Sequence, residues 1–203
     1  MVMSSKYSFF LVLLVALPMY FEVDKVLSWW LIDVPKWTTE FVKITLGITA
    51  VRVLAEPLFQ VIHAEGNIRN FQIIEGTILI LILPICYILL KIYDVSPIVP
   101  YYILLILELV AQCVRMAFAL PLAKFPIKDY FCKALLPIFS SSFFSLILIL
   151  TFRNFFPILY NNLLLGIIFE LICTACVFYL IGCNRQEQSQ VLKRIFNFIY
   201  KNT

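Results

Sequence analysis

Seven ionisable side chains lie inside long apolar stretches of this sequence, where a charge is costly. In the interior of a membrane, the ionisable groups that persist usually bind a substrate, conduct an ion or pair with one another. Groups of this kind could bind a charged ligand or transfer a proton without any covalent step. They are Lys43, Arg52, Glu56, Glu75, Glu108, Arg115 and Glu170.

Two pairs among these residues are spaced to share a helix face. Arg52 and Glu56 are four residues apart, and Pro57 predicts a kink because proline cannot donate a backbone hydrogen bond. Glu108 and Arg115 are seven residues apart, again on one face. Each pair fits two interpretations equally: groups that line a transport cavity, or a self-neutralised pair buried against another helix. We take these four charged residues as candidates for substrate binding.

The other three ionisable residues give weaker indications. Lys43 and Glu75 lie near the starts of their apolar segments, so we expect their side chains to reach the membrane interface. Glu170 has no charged partner in its own segment, and its role is left open.

No sequence motif indicates catalysis or a bound metal. The HExxH, GxSxG and P-loop patterns are absent, and His63 is the only histidine. Cys173 and Cys176 form a CxxC at helical spacing, but no histidine accompanies them. Most of the cysteines lie in apolar runs and are predicted to be packing residues. We therefore predict a protein that is not an enzyme and carries no cofactor.

The elements that position these residues are predicted to be membrane-spanning helices. Of the 203 residues, 63% are hydrophobic and 14% are charged, and the mean hydropathy is +0.97. A soluble domain of this size cannot bury so much apolar surface. With few glycines and no alternating pattern, the sequence predicts an all-α integral membrane protein. Its surplus of basic residues then indicates topology rather than binding of nucleic acid.

About six apolar segments approach or exceed the length of about 20 residues that a helix needs to cross a membrane. Short breaks that carry proline, asparagine and charged residues separate them, so no soluble domain lies between them. We expect a six-span membrane domain over residues 1–183 and a cytoplasmic tail over 184–203. The predicted spans are 7–22, 41–63, 71–92, 98–122, 131–152 and 157–182.

The distribution of basic residues predicts the orientation. With the N-terminus inside, nine lysines and arginines fall on the cytoplasmic side and four outside, so both termini are expected in the cytoplasm. Residues 26–37 contain all three tryptophans and are predicted to form a short interfacial outer loop or helix. The tail has apolar residues at helical spacing, among them Val191, Ile195 and Ile199. It is predicted to be an amphipathic helix on the cytoplasmic leaflet.

One stretch of the sequence resembles a known family. Residues 65–76 read EGNIRNFQIIEG and, after an apolar run, residues 83–91 read LPICYILLK. This pattern resembles the bacterial O-antigen and lipopolysaccharide flippases of the multidrug/oligosaccharidyl-lipid/polysaccharide exporter superfamily. In that family a Gly-Lys/Asn-Ile-basic linker opens a span that runs into Leu-Pro-Ile-Ser-Tyr. Residues 7–35, Arg115 and residues 184–187 are similar as well.

The resemblance implies a transporter of surface polysaccharide biosynthesis in the bacterial inner membrane. Such flippases move undecaprenyl-diphosphate-linked oligosaccharide to the periplasmic face, using two helical lobes around a central cavity. The resemblance implies that this chain is the C-terminal part, an incomplete lobe that needs a first lobe or a partner chain. Arg52 and Arg115 would bind the diphosphate, and the acidic groups would couple transport to an ion or proton. The implied partners are membrane lipids and lipid-linked oligosaccharide, with no nucleic acid.

Two other functions stay open at the level of sequence. A structural or accessory membrane protein without transport activity would show the same hydrophobic pattern. An integral membrane enzyme of envelope lipid metabolism is the third hypothesis. It is disfavoured because such enzymes usually cluster histidine, aspartate or lysine at one membrane face, and this sequence has no such cluster.

Overall fold

The described part of the chain is mostly helical. The computed structural model describes residues 1–66, 68–92, 95–157, 160, 162–185 and 187–189. Within these residues there is no strand, in agreement with the predicted all-α class. The helices are α1 (Val2–Trp30), α2 (Thr38–Val53), α3 (Glu56–Glu65), α4 (Arg69–Ile80), α5 (Ile82–Ile92), α6 (Val99–Leu122), α7 (Ile127–Tyr130), a π-helical turn (Phe131–Leu135), α8 (Leu136–Phe155), α9 (Leu163–Val177) and a second π-helical turn (Phe178–Gly182).

Five helical units in the described ranges are long and apolar enough to cross a membrane. They coincide with the second to sixth predicted spans, and only α6 forms its span without an interruption. The predicted first span, 7–22, lies within α1, which is not one of the five, so a total of six stays a prediction. The five units are Thr38–Glu65, Arg69–Lys91, Val99–Leu122, Ile127–Phe155 and Leu163–Gly182.

Prolines account for two of the interruptions. In a helix each backbone N–H bonds to the carbonyl four residues earlier, and proline has no N–H to donate. Pro57 therefore cannot donate a hydrogen bond to the carbonyl oxygen of Val53, and α2 ends at Val53. Likewise, Pro84 cannot donate to the carbonyl oxygen of Ile80, where α4 ends. Where a kink was predicted from Pro57, the helix is interrupted by a short turn at residues 54–55, between α2 and α3.

The segment between α1 and α2, predicted to be the first outer loop, is shorter than predicted. Helix α1 runs on to Trp30, because the N–H of Leu31 still donates to the carbonyl of Leu27 at 2.8 Å. Only residues 31–37 are left to connect α1 with α2. Trp29 and Trp30 are exposed, as expected of rings at an interface, but they extend from the end of a long helix.

The last span begins later than predicted, at Leu163 rather than at residue 157. Asn162 precedes the helix, and its side-chain oxygen accepts a hydrogen bond from the N–H of Leu164 at 3.2 Å. This contact satisfies one of the N–H groups that the first turn of a helix leaves unpaired. The span ends at Gly182, as predicted. The predicted amphipathic tail lies outside the described residues, except for 184–185 and 187–189.

Helix α1 extends along the bundle from one end to the other. Near its start, the buried Lys6 places its Nζ 2.7 Å from Oε2 of Glu187, which follows the last span. Near its end, Nζ of Lys25 donates to the carbonyl oxygen of Tyr160 at 2.6 Å. Helix α1 packs against α2, α8 and α9, while α6 packs against α2, α3, α4 and α5. The charged residues of the candidate site lie on this second group.

Candidate functional site

The four predicted site residues line a single cleft. It has a volume of about 310 Å³ and lies between α2, α3, α4 and α6. Helix α6 contributes Glu108 and Arg115 from its buried face. Arg52 comes from the last turn of α2 and Glu56 begins α3, so the break in that span lies in the cleft wall. Glu75 of α4 lines the cleft as well.

Arg115 is the centre of a buried ion network. Its Nη1 donates to Oε1 of Glu108 at 2.6 Å, and its Nε donates to Oε1 of Glu75 at 2.6 Å. Its guanidinium carbon lies 4.9 Å from the centre of the Phe59 ring, at the distance of a cation–π contact. Two carboxylates and one ring therefore fix this guanidinium from several sides.

Arg52 is the more accessible cation of the cleft. Its side chain is 54% exposed, whereas that of Glu108 is 1% exposed. The Nε of Arg52 donates to Oε2 of Glu108 at 3.1 Å. Within the described residues Glu56 forms no ion pair, so the interpretation of Arg52 and Glu56 as a self-neutralised pair is wrong. The helix breaks between them, and Arg52 bonds across to α6 instead.

Glu75 is a site residue that the sequence did not reveal. It was expected to reach the membrane interface, yet it is buried, and Nη2 of Arg115 lies 2.5 Å from its Oε1. The two residues belong to different helices, so no spacing rule connects them. With Glu75 included, three carboxylates and two guanidinium groups line the cleft, which leaves it with a formal charge of −1.

A second ion cluster joins α1, α8 and α9. Arg153, near the end of α8, forms an ion pair with Glu22 of α1. Its Nε also donates to Oε1 of Glu170 in α9 at 3.1 Å. Lys25 lies 2.8 Å from Oε2 of Glu22. Glu170 therefore has a partner, which the sequence did not reveal because Arg153 lies on another helix.

Aromatic rings complete this second cluster. The guanidinium carbon of Arg153 lies 4.9 Å from the centre of the Phe21 ring and 4.8 Å from that of Tyr160. The hydroxyl of Tyr160 is buried and has no hydrogen-bond partner among the residues described. Burial, followed by the nearby Glu170, raises the pKa of Tyr160 to about 12, so this hydroxyl stays protonated at neutral pH. A cavity of about 330 Å³ beside the cluster is lined by Lys25, Arg153, Pro157 and Tyr160.

Both clusters are built from charged side chains that pair across helices. Over the described ranges, no three histidine, cysteine, aspartate or glutamate residues are grouped to hold a metal ion. The chain matches no known protein family, no curated protein and no solved structure. A function is therefore inferred from the geometry of the cleft and from the sequence pattern.

Proposed function

We propose that the chain is the C-terminal part of a flippase that moves undecaprenyl-diphosphate-linked oligosaccharide across the bacterial inner membrane. The charged cleft carries this proposal. Five ionisable side chains line one space among helices long and apolar enough to cross a membrane. Charges at such depth are costly and usually face a substrate path. The resemblance of residues 65–91 to the flippases supports the same function.

The break between α2 and α3 supports transport. Interrupted spans are typical of transporter binding sites, because free backbone groups and helix ends meet the substrate there. Arg52 lies just before the break and Glu56 just after it, and both line the cleft. The break therefore coincides with the place where charged side chains are accessible.

The geometry supports different roles for the two arginines. Arg115 already donates hydrogen bonds to Glu75 and Glu108, so we assign it the role of positioning these carboxylates. Arg52 is half exposed and donates one hydrogen bond to Glu108, which leaves guanidinium donors for a ligand. A guanidinium binds phosphate oxygens in a bidentate manner. We therefore propose that Arg52 contacts the diphosphate. Arg115 acts on Arg52 through Glu108, which accepts a hydrogen bond from both arginines.

We also propose six crossings, with α1 as one of them. Lys6 and Glu187 are in contact, so both ends of the membrane domain lie at one face of the bundle. A chain that begins and ends at one face crosses the membrane an even number of times. Five helical units qualify by length and hydropathy, and α1 supplies the sixth crossing. The excess of basic residues assigns that face to the cytoplasm.

A second wall is needed to complete the cavity. Arg52 is 54% exposed, and Glu56 is exposed as well. If lipid covered this side of the cleft, both charges would lack solvation. We therefore propose that another lobe or a partner chain covers the cleft, which agrees with an incomplete lobe.

The proposal is tested by substituting Arg52 in the chromosome of the natural host. For Arg52→Ala we expect surface polysaccharide to fall roughly tenfold or more, because a hydrogen bond to a charged group contributes about 1.5–3 kcal/mol. The abundance of the protein in the membrane should not change, and lipid-linked oligosaccharide should accumulate at the cytoplasmic face. Lys91→Ala removes an exposed basic residue that does not line the cleft and is the matched control.

A strain that lacks the whole chain completes the experiment. Normal surface polysaccharide both in this strain and in Arg52→Ala contradicts the flippase proposal. A structural or accessory role is the second candidate, and it is favoured by the neutralisation of Arg115 within the chain itself. That role predicts that deletion lowers surface polysaccharide while Arg52→Ala leaves it unchanged.

A further inference from the structure

The cavity beside the second ion cluster is lined by basic groups, although the cluster as a whole is neutral. Lys25 and Arg153 line this cavity, and their side chains are 46% and 26% exposed. Glu22 and Glu170 lie behind them, at 1% and 0% exposure. Among the described residues that line the cavity, an incoming ligand meets two cations and no carboxylate.

The buried carboxylates hold these cations in place. Arg153 pairs with Glu22 and donates from Nε to Glu170 at 3.1 Å, while two aromatic rings cover its faces. Lys25 lies 2.8 Å from Glu22 and donates to the carbonyl oxygen of Tyr160 at 2.6 Å. Cations that are already fixed lose less conformational entropy when a ligand binds. The arrangement is thus preorganised for an anion.

Tyr160 forms part of the cavity wall. It is 7% exposed, and its ring lies against the guanidinium of Arg153 at 4.8 Å. Its hydroxyl is buried, so the groups that a ligand can reach are the two cations.

From this geometry we infer that the cavity binds a phosphate group. Lys25 and Arg153 would neutralise its charge and donate to its oxygens. Phosphate fits better than carboxylate because it carries more negative charge and offers more oxygens to two separate cations. The phosphate can belong to a lipid headgroup or to a soluble compound. The inference does not depend on the proposed flippase function, since it concerns a different set of residues.

Binding is measured on the purified full chain in nanodiscs of phosphatidylcholine, with pyrophosphate as the probe. Trp29, Trp30 and Trp37 are the only tryptophans and lie at the end of α1 and the start of α2, near Lys25 in the chain. Their fluorescence should therefore change in a saturable manner as pyrophosphate is added. Sodium chloride at equal ionic strength serves as the blank, because it screens charges without offering a phosphate.

Two variants identify the site. Lys25→Gln should weaken binding roughly tenfold or more, because a charged donor is lost. Lys36→Gln is the matched control, since this exposed lysine lies over the Trp37 ring at 5.4 Å but does not line the cavity. It should bind like the wild type.

A second arm of the experiment distinguishes the sources of the phosphate. Nanodiscs that contain phosphatidylglycerol are dissolved, and native mass spectrometry counts the phosphatidylglycerol that stays bound. Retention that depends on Lys25 identifies a lipid headgroup. A dependence of pyrophosphate binding alone on Lys25 identifies a soluble phosphate.

Arg153 is left unchanged in these tests, because its loss would leave Glu22 and Glu170 buried without a counter-ion. The thermal unfolding temperature of each variant verifies that it is folded. The inference is overturned if the wild type binds neither pyrophosphate nor phosphatidylglycerol. It is equally overturned if folded Lys25→Gln binds as the wild type does. Neither result changes the outcome of the Arg52 experiment on surface polysaccharide.

Discussion

Arg115 contacts one carboxylate on its own helix and another on a neighbouring helix. The partner on the same helix, Glu108, could be predicted, because a spacing of seven residues returns to the same face. Glu75 could not be predicted, since nothing in a single sequence indicates which helices pack together. Arg52 with Glu108 and Arg153 with Glu170 are further pairs between helices that spacing did not reveal. Sequence analysis thus identified four charged residues of the cleft, but only one of their ion pairs.

The burial of these residues leads to a prediction about stability. In Arg115→Ala, Glu75 would lose its cation and Glu108 would keep only the exposed Arg52. Breaking a buried ion pair from one side costs about 3–5 kcal/mol of unfolding free energy. In Arg52→Ala, removal of a half-exposed partner should cost about 0–1 kcal/mol. Unfolding of both variants in mixed detergent micelles, followed by circular dichroism, measures the difference. Equal losses in the two variants would contradict the buried network.

At the scale of helices, hydropathy predicted where spans lie better than where helices begin and end. Each of the second to sixth predicted segments overlaps one of the helical units that are long and apolar enough to cross. Hydropathy did not predict the two π-helical turns, because an extra residue in a turn leaves the composition of a span unchanged. It also placed the start of α9 too early, where apolar residues precede the cap at Asn162.

The break between α2 and α3 depends on a single proline, and this dependence can be tested. Pro57→Ala restores an N–H that can donate to the carbonyl of Val53, so we expect a more continuous helix. Hydrogen exchange in peptides covering residues 53–59 should slow, read by mass spectrometry. Pro100→Ala is the control, because this proline lies in the first turn of α6, where its missing N–H breaks no bond. Unchanged exchange in Pro57→Ala would mean that tertiary packing, not the proline, causes the break.

At the scale of the whole molecule, the proposed six crossings fix which segments lie on each side of the membrane. Alkaline phosphatase fused after Asp33 should be active, because residues 31–37 are expected in the periplasm. Fusion after Ser189 should be inactive, while green fluorescent protein at the same position should fluoresce. An epitope tag placed before Met1 should resist protease until the inner membrane is opened. A tag that is cleaved in intact spheroplasts, together with an inactive phosphatase fusion after Ser189, would place the two ends on opposite faces and exclude α1 as the sixth crossing.

The ion pair of Lys6 with Glu187 also affects the timing of biosynthesis. Its partners are separated by 181 positions in the chain. At about 5–20 residues per second, Lys6 is added to the chain roughly 10–40 s before Glu187. During that interval Lys6 has no access to the partner that neutralises it in the folded protein. Closure of the bundle around the first helix is therefore among the last steps of assembly, and a chain halted before Glu187 cannot make this contact.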